Sequence, residues 1–307
     1  MPPEFRPPER IGFIGLGQMG VPMAANLAKA AFGLAVADNN AAAVERFRAA
    51  HACEVPATLA ALGKACKVVI TMLPDGASVR GVMLGAGGVA AGMPAGSVLI
   101  DMSSSSPVGT RRLGEELAAM QIGLVDAPVS GGVSKARTGA LSIMAGGNAH
   151  LIDRCRPILL AMGARIFATG PLGSGHAMKA LNNYVSAAGL AAAVEAVLAG
   201  QRFGLDANVI VDVLNASTGR NNSTEAKFHQ FILSRKFDSG FSMGLMVKDL
   251  RTALEVAHAS GTPVPLGEAC VETWSKAEDL LGKQTDHTGV AQYWEKLAGS
   301  ELAGKKG

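Results

Sequence analysis

Lys179 and Asn183 stand four residues apart in Gly173-Ser174-Gly175-His176-Ala177-Met178-Lys179-Ala180-Leu181-Asn182-Asn183. On a helix that spacing stacks both side chains on one face. An amine and an amide then project from an otherwise apolar surface. A buried lysine is costly unless it is paired or used, and burial lowers its pKa toward the range where it exchanges protons. A lysine snorkelling to solvent is the alternative. His176, three residues earlier, is a rival acid–base group; it has no evident orienting carboxylate, and capping the first turn is its simpler role. Further on, Lys248-Asp249 sets a charge pair inside an apolar helical run that begins near Phe241. Lys248 reaches a ligand there, with Asp249 orienting it or bonding across to the long helix, or the two form an exposed pair.

Other segments offer backbone rather than side chains. In Asp126-Ala127-Pro128-Val129-Ser130-Gly131-Gly132-Val133 a strand ends, a proline sets a turn, and Ser130, Gly131 and Gly132 present a hydroxyl and two open amides. Successive N–H groups of this kind form a nest for a carboxylate; an ordinary glycine turn leading to a hairpin is the alternative. Near the start, Ile11-Gly12-Phe13-Ile14 reads as a strand entering Gly15-Leu16-Gly17-Gln18-Met19-Gly20, with a helix from Val21 to Ala31 behind it. In such a turn Gly15 bends tightly, Gly17 admits a pyrophosphate and Gly20 allows close helix packing. The helix N-terminus supplies unpaired N–H groups and partial positive charge. Asp38 ends the next strand, about 20 residues on, where a ribose 2′-hydroxyl needs an acceptor. A carboxylate there favours NAD over NADP, unless Asp38 merely caps the following helix. Leu73 and Pro74 end another strand, either bordering the cofactor or simply stopping the strand. Ser104, in Asp101-Met102-Ser103-Ser104-Ser105-Ser106-Pro107, lines a ligand or belongs to a helix-capping run.

The elements that must hold these groups fall into two halves. Residues 11–172 alternate strands (Ile11–Ile14, Leu34–Ala37, Val68–Met72, Val98–Asp101, Leu124–Asp126, Leu141–Ala145, Arg165–Ala168) with helices such as Ala41–Ala50, Pro107–Met120 and Ala149–Met162. That alternation predicts an α/β domain with a Rossmann-type doubly wound sheet, its late strands antiparallel at an edge. Residues 173–307 show helical patterns only, from a long Gly175–Gly204 stretch through Ala207–Leu214, Asn222–Leu233, Met243–His258 and Pro265–Leu281. They predict an all-α domain joined to the first by the long helix, with a ligand site at the seam. Residues 1–10 read as a loose proline-rich tail without the apolar stretch of a signal sequence.

Composition narrows the partners. The 307 residues are 49% hydrophobic and 17% charged, with a net charge of +3 and no basic run, so nucleic acid is not expected. Cys53, Cys66, Cys155 and Cys270 show neither C-x-x-C nor histidine ligand spacing, which reads as reduced thiols of a cytoplasmic protein with no metal. Polar interruptions in the Ala-rich run argue against a membrane span. The same run invites tight helix packing, hence a homodimer or homotetramer.

Together these segments resemble the β-hydroxyacid dehydrogenase family, which includes 3-hydroxyisobutyrate dehydrogenase, tartronate semialdehyde reductase and 6-phosphogluconate dehydrogenase. The motifs that carry it are Gly15-Leu16-Gly17-Gln18-Met19-Gly20, Asp101 to Ser104, Asp126 to Gly132, Gly173 to Asn183, and Lys248-Asp249, in the family's order and over almost the whole chain. Ser104 stands where the family often has threonine. The resemblance implies Lys179 as the catalytic acid–base, Asn183 as a positioning amide, and Ser130, Gly131 and Gly132 as the substrate's carboxylate cradle. It also implies that Leu73, Pro74, Ser104 and Lys248 line the cofactor. The expected reaction is hydride transfer between C4 of the nicotinamide of NAD (or NADP) and the hydroxyl-bearing carbon of a small β-hydroxyacid, giving its semialdehyde. Asn182-Asn183-Tyr184 and Ser217 to Ser223 are also similar to sulfolactaldehyde reductases. An NADPH-dependent semialdehyde, sulfolactaldehyde or imine reductase is therefore one rival, and a non-catalytic nucleotide-binding scaffold another. Specificity is expected to depend on Ser130, Lys248, Arg220 and residues near Phe241.

Overall fold

The computed structural model describes residues 3–304. Uninterrupted Val, Ile and Leu runs become strands buried on both faces, as a helix-covered parallel sheet requires. The strands are β1 (Arg10–Ile14), β2 (Gly33–Ala37), β3 (Val68–Thr71), β4 (Val98–Asp101), β5 (Gly123–Asp126), β6 (Val129–Ser130), β7 (Leu141–Gly146) and β8 (Gly163–Gly170). Their order is β2-β1-β3-β4-β5-β7-β6, with β8 also paired to β7. Strands β1 to β5 are parallel, and β7 runs antiparallel to β5 and β6. The winding reverses beside β1, and ligands of such sheets bind at the carboxyl ends there. Successive strand residues face opposite sides: Ile11, Phe13 and Ile70 join one apolar cluster, Ile14 and Val69 the other.

Seven helices accompany the sheet: α1 (Gly20–Lys29), α2 (Ala41–Ala50), α3 (Leu59–Ala65), α4 (Gly76–Leu84), α5 (Pro107–Ala119), α6 (Gly132–Arg137) and α7 (Ala149–Met162). Asn40, Thr58, Asp75, Ser106 and Asn148 cap α2, α3, α4, α5 and α7 through side-chain oxygens. The chain continues with α8 (Ser174–Phe203), α9 (Ala207–Ala216), α10 (Asn222–Ala226), α11 (Met243–Ala259), α12 (Pro265–Leu281) and α13 (Ala291–Ala298). Leu190, Val194, Phe228, Val247 and Trp274 centre the core of these helices.

Several details differ from the sequence reading. Two compact units divide between Lys179 and Ala180, inside α8, rather than at 172–173. Met1 and Pro2 of the expected tail lie outside the described residues. The remainder of that tail is fastened, because Phe5 is an apolar anchor: it is buried, and its N–H donates to the Arg154 carbonyl at 2.9 Å. The Arg154 guanidinium lies 4.4 Å from the ring centre. The run read as one helix from Asn222 to Leu233 breaks at Lys227, where a wide π turn, Phe228–Ile232, lets both of its end residues enter the core. By length and composition alone, α8 could cross a membrane, with mean hydropathy 1.3 over its best window. Yet Ala187, Leu190, Val194 and Val197 of that helix are fully buried.

Candidate functional site

The glycine turn fits a dinucleotide on its own geometry. Gly15 has φ +104°, and a Cβ there would strike the Met72 carbonyl oxygen, as one at Gly20 would strike that of Gly15. At Gly17 a Cβ would meet nothing within 4 Å, which leaves an open side for a pyrophosphate. No side chain caps α1, and its first turn holds no acidic residue. Its N–H groups are therefore available to an anion. Leu16 is buried, whereas Gly17 and Gln18 are exposed and Met19 half-buried. Asp38 accepts from the Leu16 N–H at 2.6 Å and the Asn40 N–H at 2.7 Å. Since Asn40 caps α2, Asp38 has no capping role there and is tied to the glycine turn instead.

The next loops lock to one another. Leu73 donates its N–H to Ser103 Oγ at 2.9 Å, a link the sequence reading missed because it singled out Ser104. Pro74 is exposed and Ser104 half-buried, and the capping of α5 falls to Ser106. Ser130 ends β6 opposite Ser142, and Gly131 and Gly132 then take φ of +131° and +64°. Only glycine enters both without strain. They open α6, so the segment leads into a helix rather than directly into a hairpin.

Below the start of α8 lies a buried polar cluster. Asp126, at the end of β5, accepts from the Gly173 and His176 N–H groups, each at 2.8 Å. Burial pushes its carboxyl up, against the pull of His176 and of those N–H donors. Asp101, at the end of β4, accepts from Thr71 Oγ1, Ser105 Oγ and the Ser103 N–H. His176 is 1% exposed; its Nδ1 is 2.8 Å from Thr110 Oγ1 and its Nε2 3.6 Å from Asp101 Oδ2. The sequence reading found no orienting carboxylate for His176; the structure brings Asp101 and Asp126 to 3.6 and 3.8 Å from the ring nitrogens, beyond hydrogen-bond distance, and the ring is oriented by Thr110 instead. So placed, His176 anchors the helix that carries Lys179, which is half-buried one turn further on.

In the second unit, Asn183 is buried and donates Nδ2 to Asp249 Oδ2 at 2.5 Å, while its Oδ1 accepts from Asn182 Nδ2 at 3.2 Å. Asp249 is 1% exposed and lies 3.4 Å from Lys248 Nζ through its other oxygen. An exposed ion pair is thereby ruled out: Asp249 both bonds across to the long helix and faces Lys248. Arg220 sits at the surface against Glu225, at 3.6 Å. Phe241 is half-buried beside the His287 ring.

A family model for the NAD binding domain of 6-phosphogluconate dehydrogenase matches residues 10–170. One for the NAD-binding region of NADP-dependent 3-hydroxyisobutyrate dehydrogenase matches residues 173–294. The chain is 36% identical to the 2-(hydroxymethyl)glutarate dehydrogenase of Eubacterium barkeri, over 96% of its own length and 98% of the relative's. It is 37% identical to the 3-sulfolactaldehyde reductase of Escherichia coli, over 94% and 97%. A solved 3-hydroxyisobutyrate dehydrogenase of Mycobacterium tuberculosis, determined with L-serine, superimposes with a TM-score of 0.85 at 31% identity, over 93% of this chain and 99% of that one. Family models over both halves, with relatives matched over almost their whole length, make this chain a member of the β-hydroxyacid dehydrogenase family, an oxidoreductase that uses NAD or NADP.

Proposed function

We propose that the enzyme oxidises a small carboxylate-bearing β-hydroxyacid to its semialdehyde, reversibly, with Lys179 as general acid–base. The observation that carries this reading is the Lys179–Asn183 spacing on α8, with Asn183 immobilised by buried Asp249. When bound, NAD would supply the hydride acceptor for oxidation and, as NADH, the donor for reduction. Lys179 Nζ takes the hydroxyl proton in one direction and gives it back to the carbonyl oxygen in the other, a task that requires a pKa near working pH. Asn183 positions Lys179 and the substrate hydroxyl. Ser130, Gly131 and Gly132 receive the carboxylate, while Gly15 to Gly20, Asp38, Leu73, Pro74, Ser104 and Lys248 hold the cofactor. Asp38 favours NAD, because its carboxylate accepts from a free 2′-hydroxyl and repels a 2′-phosphate.

Reduction of a semialdehyde such as 3-sulfolactaldehyde is the second reading, favoured by the relative of that name. It uses the same residues in the opposite direction. The four free thiols support a cytoplasmic enzyme. An apolar exposed stripe on α8 supports a homo-oligomer.

The test is a panel of 3-hydroxyisobutyrate, 2-(hydroxymethyl)glutarate and 3-sulfolactaldehyde with both nucleotides. Lys179→Ala is expected to lower turnover by about 10²- to 10⁴-fold while NAD binding stays nearly intact. Normal turnover in that variant would remove Lys179 from the mechanism.

A further inference from the structure

Lys227 is a cation folded into the helical unit without a matching anion. It occupies the junction between α10 and the π turn, is 9% exposed, and donates Nζ to Ser186 Oγ at 3.1 Å. Among the described residues no carboxylate forms an ion pair with it within 4.0 Å. The charges around it are already committed. Asp286 accepts from Ser239 Oγ and from the N–H groups of Gly240, Phe241 and Thr288. His287 is kept neutral, pushed down to about 4 by burial first and by Lys227 second. Burial likewise pulls Lys227 down to about 8, against the pull of Asp286. At neutral pH it therefore remains mostly protonated, with a neutral hydroxyl as its hydrogen-bond partner.

A buried ammonium in this state is costly unless something anionic completes it. The fold goes to some length to hold it there. Asn221 caps α10 with a reciprocal Thr224 bond, and Ser223 Oγ donates to the Ser186 carbonyl at 3.4 Å, which docks α10 on α8. The π turn that follows is of a kind often found at functional sites. Ser186 lies three residues beyond Asn183, about 4.5 Å further along the axis.

We propose that Lys227, set by Ser186, binds a second acidic group on the substrate, so that dicarboxylic hydroxyacids and their semialdehydes are preferred over monocarboxylic ones. This rests on Lys179 and Asn183 marking the reacting end. From the reacting end at Asn183, a short carbon arm running along α8 past Ser186 would bring the second acidic group toward Lys227.

Glutarate and butyrate, which have no hydroxyl to oxidise, separate the two ideas when titrated calorimetrically into the NAD-loaded enzyme. Glutarate is expected to bind about tenfold or more tightly than butyrate, as the loss or gain of one charge-assisted hydrogen bond allows. That ratio should collapse toward one in Lys227→Met and Lys227→Gln, and in the wild type as pH rises past 8. Met keeps the length of the stem while removing the buried charge, so the variant is expected to fold. A glutarate preference that survives both substitutions, or equal or absent binding of glutarate by the wild type, overturns the subsite. Hydride transfer from 3-hydroxyisobutyrate, followed by nicotinamide absorbance, reports separately on the Lys179 reading; its failure leaves the calorimetric result for Lys227 intact.

Discussion

Asp38 and His287 show how one buried or half-buried group ties chemistry to conformation. Both Asp38 oxygens take backbone N–H bonds, one of them from Leu16 inside the glycine turn, so the backbone fixes the carboxylate in place. Asp38→Ala should raise the KM for NAD by about tenfold and change that for NADP little, narrowing the preference between nucleotides. Initial rates with each nucleotide check this; equal losses for both would point to a damaged turn instead. His287 predicts a pH effect on stability. Burial holds it well below its ordinary 6.5, at about 4, so the native state is unprotonated where the unfolded chain takes up a proton. Its contribution is complete above pH 6.5 and is lost as pH falls toward 4, about 3 kcal/mol in all. Thermal melts at pH 7, 6 and 5 should show this slope in the wild type and a flatter one in His287→Gln, which keeps a donor for the Phe241 carbonyl now 3.1 Å from Nδ1. Identical slopes would clear His287 of the effect.

Among the elements, α8 depends most on a single distant residue. Asp126 satisfies two N–H groups at its start, donors that a helix cannot pair internally. Asp126→Ala leaves both buried and unpaired, at a cost of about 2–4 kcal/mol, whereas Asp126→Asn keeps one acceptor and should cost about half as much. Urea denaturation distinguishes the two; equal midpoints would contradict the anchoring. This contact also marks the boundary of what could be read from sequence. Strand–helix alternation placed the seven longer strands to within two residues, because continuous apolar runs and capping residues are local signals. That Lys179 and Asn183 share one helix was legible for the same reason, since they stand one turn apart. Strand β6 and helix α6 were not, since two left-handed glycines rather than an apolar pattern set them. The pairing of Asp126 with His176, or of Asp249 with Asn183, spans 50 or 66 residues. Only the closed fold brings such residues together. Lys227 hid behind a helical pattern that the π turn interrupts.

For the whole molecule, the long helix carries a second face that its own unit does not cover. Leu181, Val185 and Phe203 are 36%, 69% and 87% exposed, and Ala192, Ala196 and Ala199 are exposed between them. Positions 185 and 203 are 18 residues apart, five full turns at 3.6 residues per turn, so both lie on one line along the helix. Small residues between large ones let a second helix approach closely, and a second copy of this chain would present the same stripe, as a two-fold interface requires. An apolar face of this length in water favours association, in proportion to the area it removes from solvent. Glu195, whose Oε1 accepts from Trp294 Nε1 at 3.0 Å, lies at the edge of that stripe and leaves its middle uncharged. The expected state is therefore a homodimer, or a tetramer built from such dimers. Val185→Lys with Phe203→Glu places charges at both ends of the stripe without touching a buried side chain. Light scattering after size exclusion should show the wild type at twice or four times the chain mass and the double variant at the chain mass, with its far-ultraviolet dichroism unchanged. A wild type that elutes as a monomer, or a double variant that stays assembled, would mean that this face meets something other than itself.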